Sequence, residues 1–145
     1  MSTWGTGLFA SDGAQDFLEG LAELEADDRS SELEREMSEL LRDPSRLMRT
    51  VFPESLIAAA ALVALSLPGG QRIMDRQSSF IADAVSAASL DYPAPELASD
   101  ALQVLAIVTD PEGLWSKGWR LLEDREEALA GIGMVKEILE SAQLM

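Results

Sequence analysis

Residues 56–67 form the uncharged run LIAAAALVALSL, and no other feature of the chain constrains its fold as strongly. Twelve residues of α-helix rise about 18 Å, which is too short to cross a hydrocarbon layer of about 30 Å. A helix that is apolar nearly all round must instead be covered by other helices. We therefore predict a buried central helix that begins at Pro53 and is stopped by LPGG, residues 67–70, where a glycine can take positive φ.

The remaining apolar positions predict helices that cover this centre. Large apolar residues recur at three- and four-residue spacing along most of the chain, whereas no segment alternates as a strand would. A chain of 145 residues of which 47 % are hydrophobic suits one globular domain. We expect a single compact all-α domain over residues 1–145, with about six helices packed orthogonally around the central Ala-rich helix.

Capping residues predict where the first two helices begin and end. Ser11 or Asp12 is expected to cap the first helix. The stretch ADDRSS, residues 26–31, is expected to end it. Ser31 and Glu34 have the spacing of a capping box, which predicts the start of a second helix there.

The second half of the chain predicts further helices. One lies within SSFIADAVSAASL, residues 78–90, where serines are available as caps, another begins at Pro95, and a third follows Pro111. Asp124 and Glu127 are expected to cap the last helix. The residues expected to face inward are Phe80, Ile81, Ala84, Val85 and Ala88 in the first of these, Leu114, Trp115, Trp119 and Leu122 in the third, and Leu129, Ile132, Val135, Ile138 and Leu139 in the last.

The chain starts with two large aromatic residues, Trp4 and Phe9, with glycines between them. Gly5 and Gly7 allow the backbone to turn sharply between the two rings. Because burial of each ring contributes about 1.5–3 kcal/mol, we expect residues 1–10 to form an arm that packs on the core. The alternative is a binding surface in which Trp4 stays partly exposed.

The residue types present exclude several kinds of catalytic site. The chain has no cysteine and no histidine, so it offers no thiolate nucleophile, no imidazole base and neither of these metal ligands. Glu36 and Glu39 form one E-x-x-E pair, but helical magnesium pyrophosphatases need a second acidic pair on a neighbouring helix. Only three residues precede Trp4, which leaves no room for the strand before a dinucleotide-binding loop. We predict no catalytic residue and no cofactor.

Negative charge dominates the chain and is concentrated at one end. There are 26 acidic and 11 basic residues, a net charge of −15, and residues 1–43 alone hold twelve acids against three arginines. Such a surface repels phosphate backbones and anionic membranes, whereas it attracts a basic protein. We therefore expect a basic protein partner, with neither nucleic-acid nor membrane binding.

Three groups of residues are candidate binding positions. The first is a set of acids that share one face of the first helix: Asp12, Asp16, Glu19 and Glu23. They suit either a solvated face that meets a partner or a set of ligands for a hard cation. The second group is Trp115 and Trp119, which lie one turn apart. We expect both rings to pack in the core, and the alternative is that they form part of a protein interface. Trp4 is the third.

Together these features predict a non-enzymatic, acidic protein-binding domain. An inhibitor of a basic partner, of the immunity-protein or antitoxin kind, is its most concrete form. One alternative is a divalent-metal enzyme that uses the N-terminal acids, and another is a structural subunit of a homo-oligomer. The N-terminus lacks the basic and apolar segments of a secretory signal, so we expect a cytoplasmic location.

Four stretches of the chain carry a resemblance to a known family. They are WGTGLF with SDGAQDF, AAAALVALSLPGG, APELASDALQVL, and GLWSKGW. Together they resemble the bacterial domain-of-unknown-function family numbered 4259. The opening pattern of that family, W-G-x-G-x-F-x-x-D-x-A-x-D-F, falls here without a gap on Trp4, Gly5, Gly7, Phe9, Asp12, Ala14, Asp16 and Phe17. The resemblance implies a stand-alone bacterial domain, and it brings no activity with it.

Overall fold

The computed structural model of the chain describes residues 7–144. Within that range the chain forms eight α-helices, two single-turn 3-10 helices and no strand. The α-helices are α1 (Asp12–Ala22), α2 (Ala26–Arg42), α3 (Pro53–Leu65), α4 (Gln71–Met74), α5 (Ser79–Ala88), α6 (Ala98–Val108), α7 (Leu114–Lys117) and α8 (Leu122–Gln143). Six of them have ten or more residues, while α4 and α7 are single turns. The all-α prediction with about six helices is confirmed.

Helix α3 lies at the centre of the fold. Ten of its 13 residues are buried, and α1, α2, α6 and α8 all pack against it. Because α3 has no polar face, it needs cover on every side. The prediction of a buried helix that begins at Pro53 is confirmed. Between residues 7 and 144 we find no helix that combines the length and the apolar composition needed to cross a bilayer.

Two glycines turn the chain after α3, which ends at Leu65. Gly69 has a φ of +93°, a conformation that residues with a Cβ rarely adopt. At Gly70 an added Cβ would collide with the carbonyl group of Leu65. Both positions therefore require glycine, and the predicted stop in residues 67–70 is confirmed.

Helix α1 begins where its capping residue predicts. The Ser11 hydroxyl oxygen accepts a hydrogen bond from the backbone N–H of Ala14 at 3.1 Å, which satisfies one free donor of the first turn. Ala14, Leu18 and Leu21 are buried, and this side of α1 packs on α3 and α5. The opposite side of α1 is left to solvent.

Helix α2 begins earlier than expected. It starts at Ala26, so residues 26–31 open this helix instead of ending the one before it. Asp27 and Asp28 lie in its first turn, where negative charge is favoured by the helix dipole. The predicted start at Ser31 is therefore wrong, because the acidic first turn extends the helix past the capping-box pattern.

Arg29 ties three helices together and shows why the early start of α2 matters. Its guanidinium group donates hydrogen bonds to the carbonyl oxygens of Leu21 at 2.9 Å, Ala22 at 3.4 Å and Ser89 at 2.9 Å. These carbonyls lie at the C-terminal ends of α1 and α5, where helices leave acceptors without partners and favour a cation. From the start of α2, Arg29 reaches both of these helix ends.

The last two helices also differ from the expectation. The helix predicted after Pro111 is reduced to the four residues of α7, which ends before Gly118. Helix α8 begins at Leu122 without a side-chain cap, so the prediction that Asp124 and Glu127 cap it is wrong. Asp124 instead lies in the first turn of α8, where its charge suits the positive end of the helix dipole.

Three side chains that were expected to face inward are exposed. They are Phe80, Leu114 and Leu122, with exposed fractions of 71 %, 67 % and 58 %. In α5 only Val85 and Ala88 are buried, so the start of that helix extends past the helices it packs on. Leu114 is the first residue of the shortened α7, whose single turn cannot bury a full helical face, and Leu122 is the first residue of α8.

The described part of the N-terminal arm packs as expected. Phe9 is completely buried in the core, and Leu8 lies over Gly131 of α8, 3.9 Å from the position that a Cβ would take there. A Cβ at Gly131 would only be in ordinary van der Waals contact with Leu8, and α8 continues through this glycine without a break. Trp4 lies outside the described residues, so its role as a second tether stays a prediction.

We predict that Phe9→Ala lowers the free energy of unfolding by about 3–5 kcal/mol, because the ring fills a space from which solvent is fully excluded. Phe80→Ala is the matched control, and it should change the same quantity by less than about 0.5 kcal/mol because that ring is exposed. Denaturant unfolding followed by circular dichroism measures both values. Equal effects of the two substitutions would contradict the anchoring role of Phe9.

Candidate functional site: an acidic groove between the first two helices

The four acids predicted on α1 lie on its solvent side. Asp12, Asp16, Glu19 and Glu23 are all exposed, opposite the buried side of the helix. The sequence prediction that they share a face away from the core is confirmed. They are available to a partner from outside.

These acids do not assemble a metal site. Across residues 7–144, no three carboxylates come together in an arrangement that could hold a metal ion. Glu36 and Glu39, the E-x-x-E pair, each lie beside a different arginine. Glu39 accepts a hydrogen bond from Arg46 Nη1 at 3.2 Å, whereas Glu36 lies near Arg35. The divalent-metal alternative stays a prediction.

A groove lies beside this acidic face, between α1 and α2. Its volume is about 330 Å³. The side formed by α1 and the turn that follows it is mostly apolar, with one carboxylate at its edge, and the side formed by α2 consists of three charged residues. The lining residues are Asp16, Phe17, Gly20, Leu21 and Leu24 on the first side and Glu32, Arg35 and Glu36 on the second.

The packing of the two helices explains why the groove stays open. Helix α1 packs on α3 and α5, whereas α2 packs on α3 and α6, so each helix is held by a different neighbour. Gly20 adds to the opening, because a Cβ at this position would have no heavy atom of the rest of the fold within 4 Å. The groove thus has a gap where most helical residues would place a side chain.

Charged side chains of α2 form the rim of the groove. Arg35 Nε donates a hydrogen bond to Glu32 Oε1 at 2.6 Å, and Arg35 Nη2 lies 3.7 Å from Glu36 Oε2. The hydrogen bond to Glu32 raises the pKa of Arg35, which stays charged. With Asp16 across the groove, three carboxylates face one guanidinium group, and the rim is net negative.

Glu36 is the most buried of these rim carboxylates. Its side chain is 16 % exposed, against 26 % for Glu32. Burial raises the pKa of Glu36, the nearby charge of Arg35 opposes this rise, and Glu32 and Glu39 add to it. The single guanidinium group nearby therefore does not fully compensate the cost of burying this carboxylate.

The predicted tryptophan pair forms a separate feature. The ring centroids of Trp115 and Trp119 lie 5.6 Å apart, with the ring planes at 81°, in an edge-to-face arrangement. Both rings are half-buried, and Trp115 packs against the core. Within the described chain, Trp119 Nε1 is buried and has no hydrogen-bond partner. The third predicted aromatic position, Trp4, falls outside the described residues.

Sequence reasoning missed the α2 side of the groove. Glu32 and Arg35 on α2 were not predicted as site residues, nor was Gly20 on α1, and Glu36 was considered only as a metal ligand. The misplaced start of α2 hid the signal, because Glu32 then belongs to a first turn rather than to a charged row along an established helix. With the correct start, the spacing of Glu32, Arg35 and Glu36 places all three on one side of α2.

We predict that Glu36→Gln raises the free energy of unfolding at pH 7. The folded-state pKa of Glu36 lies above its unfolded value, so stability falls as the pH rises through the folded pKa, and glutamine removes that loss. The gain should vanish below about pH 4, where glutamate is protonated in both states. Glu34→Gln, exposed on the same helix, removes the same charge and is the control in urea titrations. Identical pH profiles of the two variants would refute the assignment.

The comparisons with known proteins give one match. No curated protein and no solved structure matches the chain at a significant level. One family model, described as Domain of unknown function (DUF4259), matches residues 2–130 and so covers nearly the whole chain. The resemblance drawn from the four sequence stretches is thereby confirmed, and the chain belongs to the DUF4259 family.

Proposed function

We propose that this chain is a non-enzymatic protein-binding domain that holds a basic partner through α1 and α2. The observation that carries the proposal is the placement of charge around the groove. Residues 12–43 contain twelve acidic residues, most of them exposed, and these two helices also enclose an open apolar groove. A surface that combines apolar area with charge of one sign suits a protein partner of the opposite sign.

The three arginines of this region offset only part of the field that its twelve acids present to a partner. Arg29 is committed to the carbonyl groups at two helix ends, and Arg35 is committed to Glu32. Arg42 lies at the C-terminal end of α2, where Nε donates a weak hydrogen bond to the Ser38 carbonyl at 3.4 Å. The outward surface of α1 and α2 therefore stays strongly negative.

Other functional classes fit this surface less well. Nucleic acid carries a repeating negative charge and is repelled by such a surface. Proton transfer near neutral pH is most often carried out by histidine, which the chain lacks. An inhibitor that covers a basic functional site on its partner, in the manner of an immunity protein or an antitoxin, is the most concrete form of the proposal.

Self-association is the second candidate, and one observation favours it. The segment 114–122 exposes Leu114, Leu121 and Leu122 beside the basic residues Lys117 and Arg120. Lys117 Nζ lies 3.2 Å from Glu112 Oε2, so Arg120 is the cation of this segment that suits the acidic face of another copy. Light scattering of the isolated protein separates this candidate from the binding of a different protein.

We predict that association with a basic partner, captured at low salt from a lysate of the source organism, slows at least tenfold between about 20 and 500 mM salt, because electrostatic steering is screened. Replacing Asp16 and Glu19 by Asn and Gln should slow association at low salt. Replacing Glu123 and Glu126 of α8 by Gln removes the same charge from a different exposed helix and should have less effect. Stopped-flow kinetics that show no salt dependence would contradict the proposal.

A further inference from the structure

The floor of the groove between α1 and α2 is apolar although it is open to solvent. Phe17 and Leu24 are half-buried against the core, and Leu21 beneath them is fully buried. Together with the gap at Gly20, they leave apolar surface open between two charged helices. The free energy falls when an apolar side chain of a partner covers such a surface and removes it from water.

The size of the groove limits what it can hold. A volume of about 330 Å³ lies at the lower end of the range of ligand pockets. It fits a few side chains rather than a whole cofactor. Grooves between two helices commonly accept one face of a third helix, whose anchors recur at i, i+3, i+4 and i+7.

The rim specifies the charge of that third helix. Asp16 on α1 and Glu32 and Glu36 on α2 face the apolar floor from both sides. Glu36 in particular is a mostly buried carboxylate whose nearest cation, Arg35 Nη2, is 3.7 Å away. A cationic side chain that enters the groove can approach Glu36 more closely than Arg35 does.

We infer that the groove binds an amphipathic basic helix of a partner, with the partner's apolar side chains on Phe17, Leu21 and Leu24 and one of its cationic side chains at Glu36. Arg35 competes with that cationic side chain for Glu36. This inference rests on the proposed function and names the partner's structural class. Arg35 is suited to the competing role because its side chain is 60 % exposed and is held by Glu32, so it can turn away from Glu36 without leaving its main partner.

The probe for this inference is a fluorescent peptide of about fourteen residues built from Leu, Ala and Arg, with the leucines at i, i+3, i+4 and i+7 spacing. A scrambled peptide of identical composition is its control. Fluorescence anisotropy at low salt should show that the amphipathic peptide binds at least about tenfold more tightly than the scrambled one. Equal affinities would overturn the groove inference, while salt-sensitive binding of both peptides would leave the proposed function intact.

Two glycines provide a matched pair of variants. Gly20→Leu places a side chain in the groove, and Gly133→Leu places one on α8, where a Cβ also has nothing within 4 Å. Both substitutions favour the helix, so both proteins should keep their circular dichroism spectra and melting temperatures. Gly20→Leu should weaken binding of the amphipathic peptide at least about tenfold, and Gly133→Leu should leave it unchanged. Equal effects of the two would overturn the inference.

A pair of arginine variants tests the competitor role. Arg35→Gln and Arg49→Gln change the net charge equally, but Arg49 is exposed outside the groove. Arg35→Gln should tighten binding of the amphipathic peptide by about three- to tenfold relative to Arg49→Gln. Equal affinities of these variants would refute the competing role of Arg35. If Gly20→Leu converts a dimer into a monomer in light scattering, the groove holds a second copy of the chain, which would overturn the assignment of a basic partner.

Discussion

A helix without a polar face must be covered on all sides, and every other part of this structure follows from how α3 meets that requirement. Four helices, α1, α2, α6 and α8, turn their apolar sides toward it. The charged residues of α1, α2 and α8 lie mostly on the solvent side, and a chain with a net charge of −15 acquires a strongly acidic exterior. The central burial thus determines where the charge lies as well as how the core forms.

The groove is a consequence of the same arrangement. Helices α1 and α2 share α3 as a support but are held from the other side by α5 and α6 respectively. Arg29 fixes the turn that joins them by bonding to the end of α1 from within α2. Since Gly20 leaves the space between the two helices open, the fold provides an apolar surface with acidic borders without any further element.

Local signals predicted much of the fold, and signals that depend on tertiary contacts did not. Ser11, Pro53 and Gly69 act on the backbone within a few residues of themselves, so their positions in sequence were sufficient. The capping pattern at Ser31 failed because the helix already starts at Ala26, with Asp27 and Asp28 in its first turn and Arg29 bonded to the end of α1. The acidic face of α1 follows from helical periodicity and could be predicted. The groove depends on the distance between α1 and α2, which is set by the other helices they pack on, so a local sequence pattern cannot predict it.

The most direct test of this account is a map of amide chemical-shift changes in the ¹⁵N-labelled protein as the amphipathic basic peptide is added. The account predicts that the largest changes occur in α1 and α2, at Asp16, Gly20 and Glu36, and that the buried amides of α3 change little. Changes centred on residues 114–122, or spread evenly over all exposed acidic residues, would contradict the claim that the groove between α1 and α2 is the binding surface of this domain.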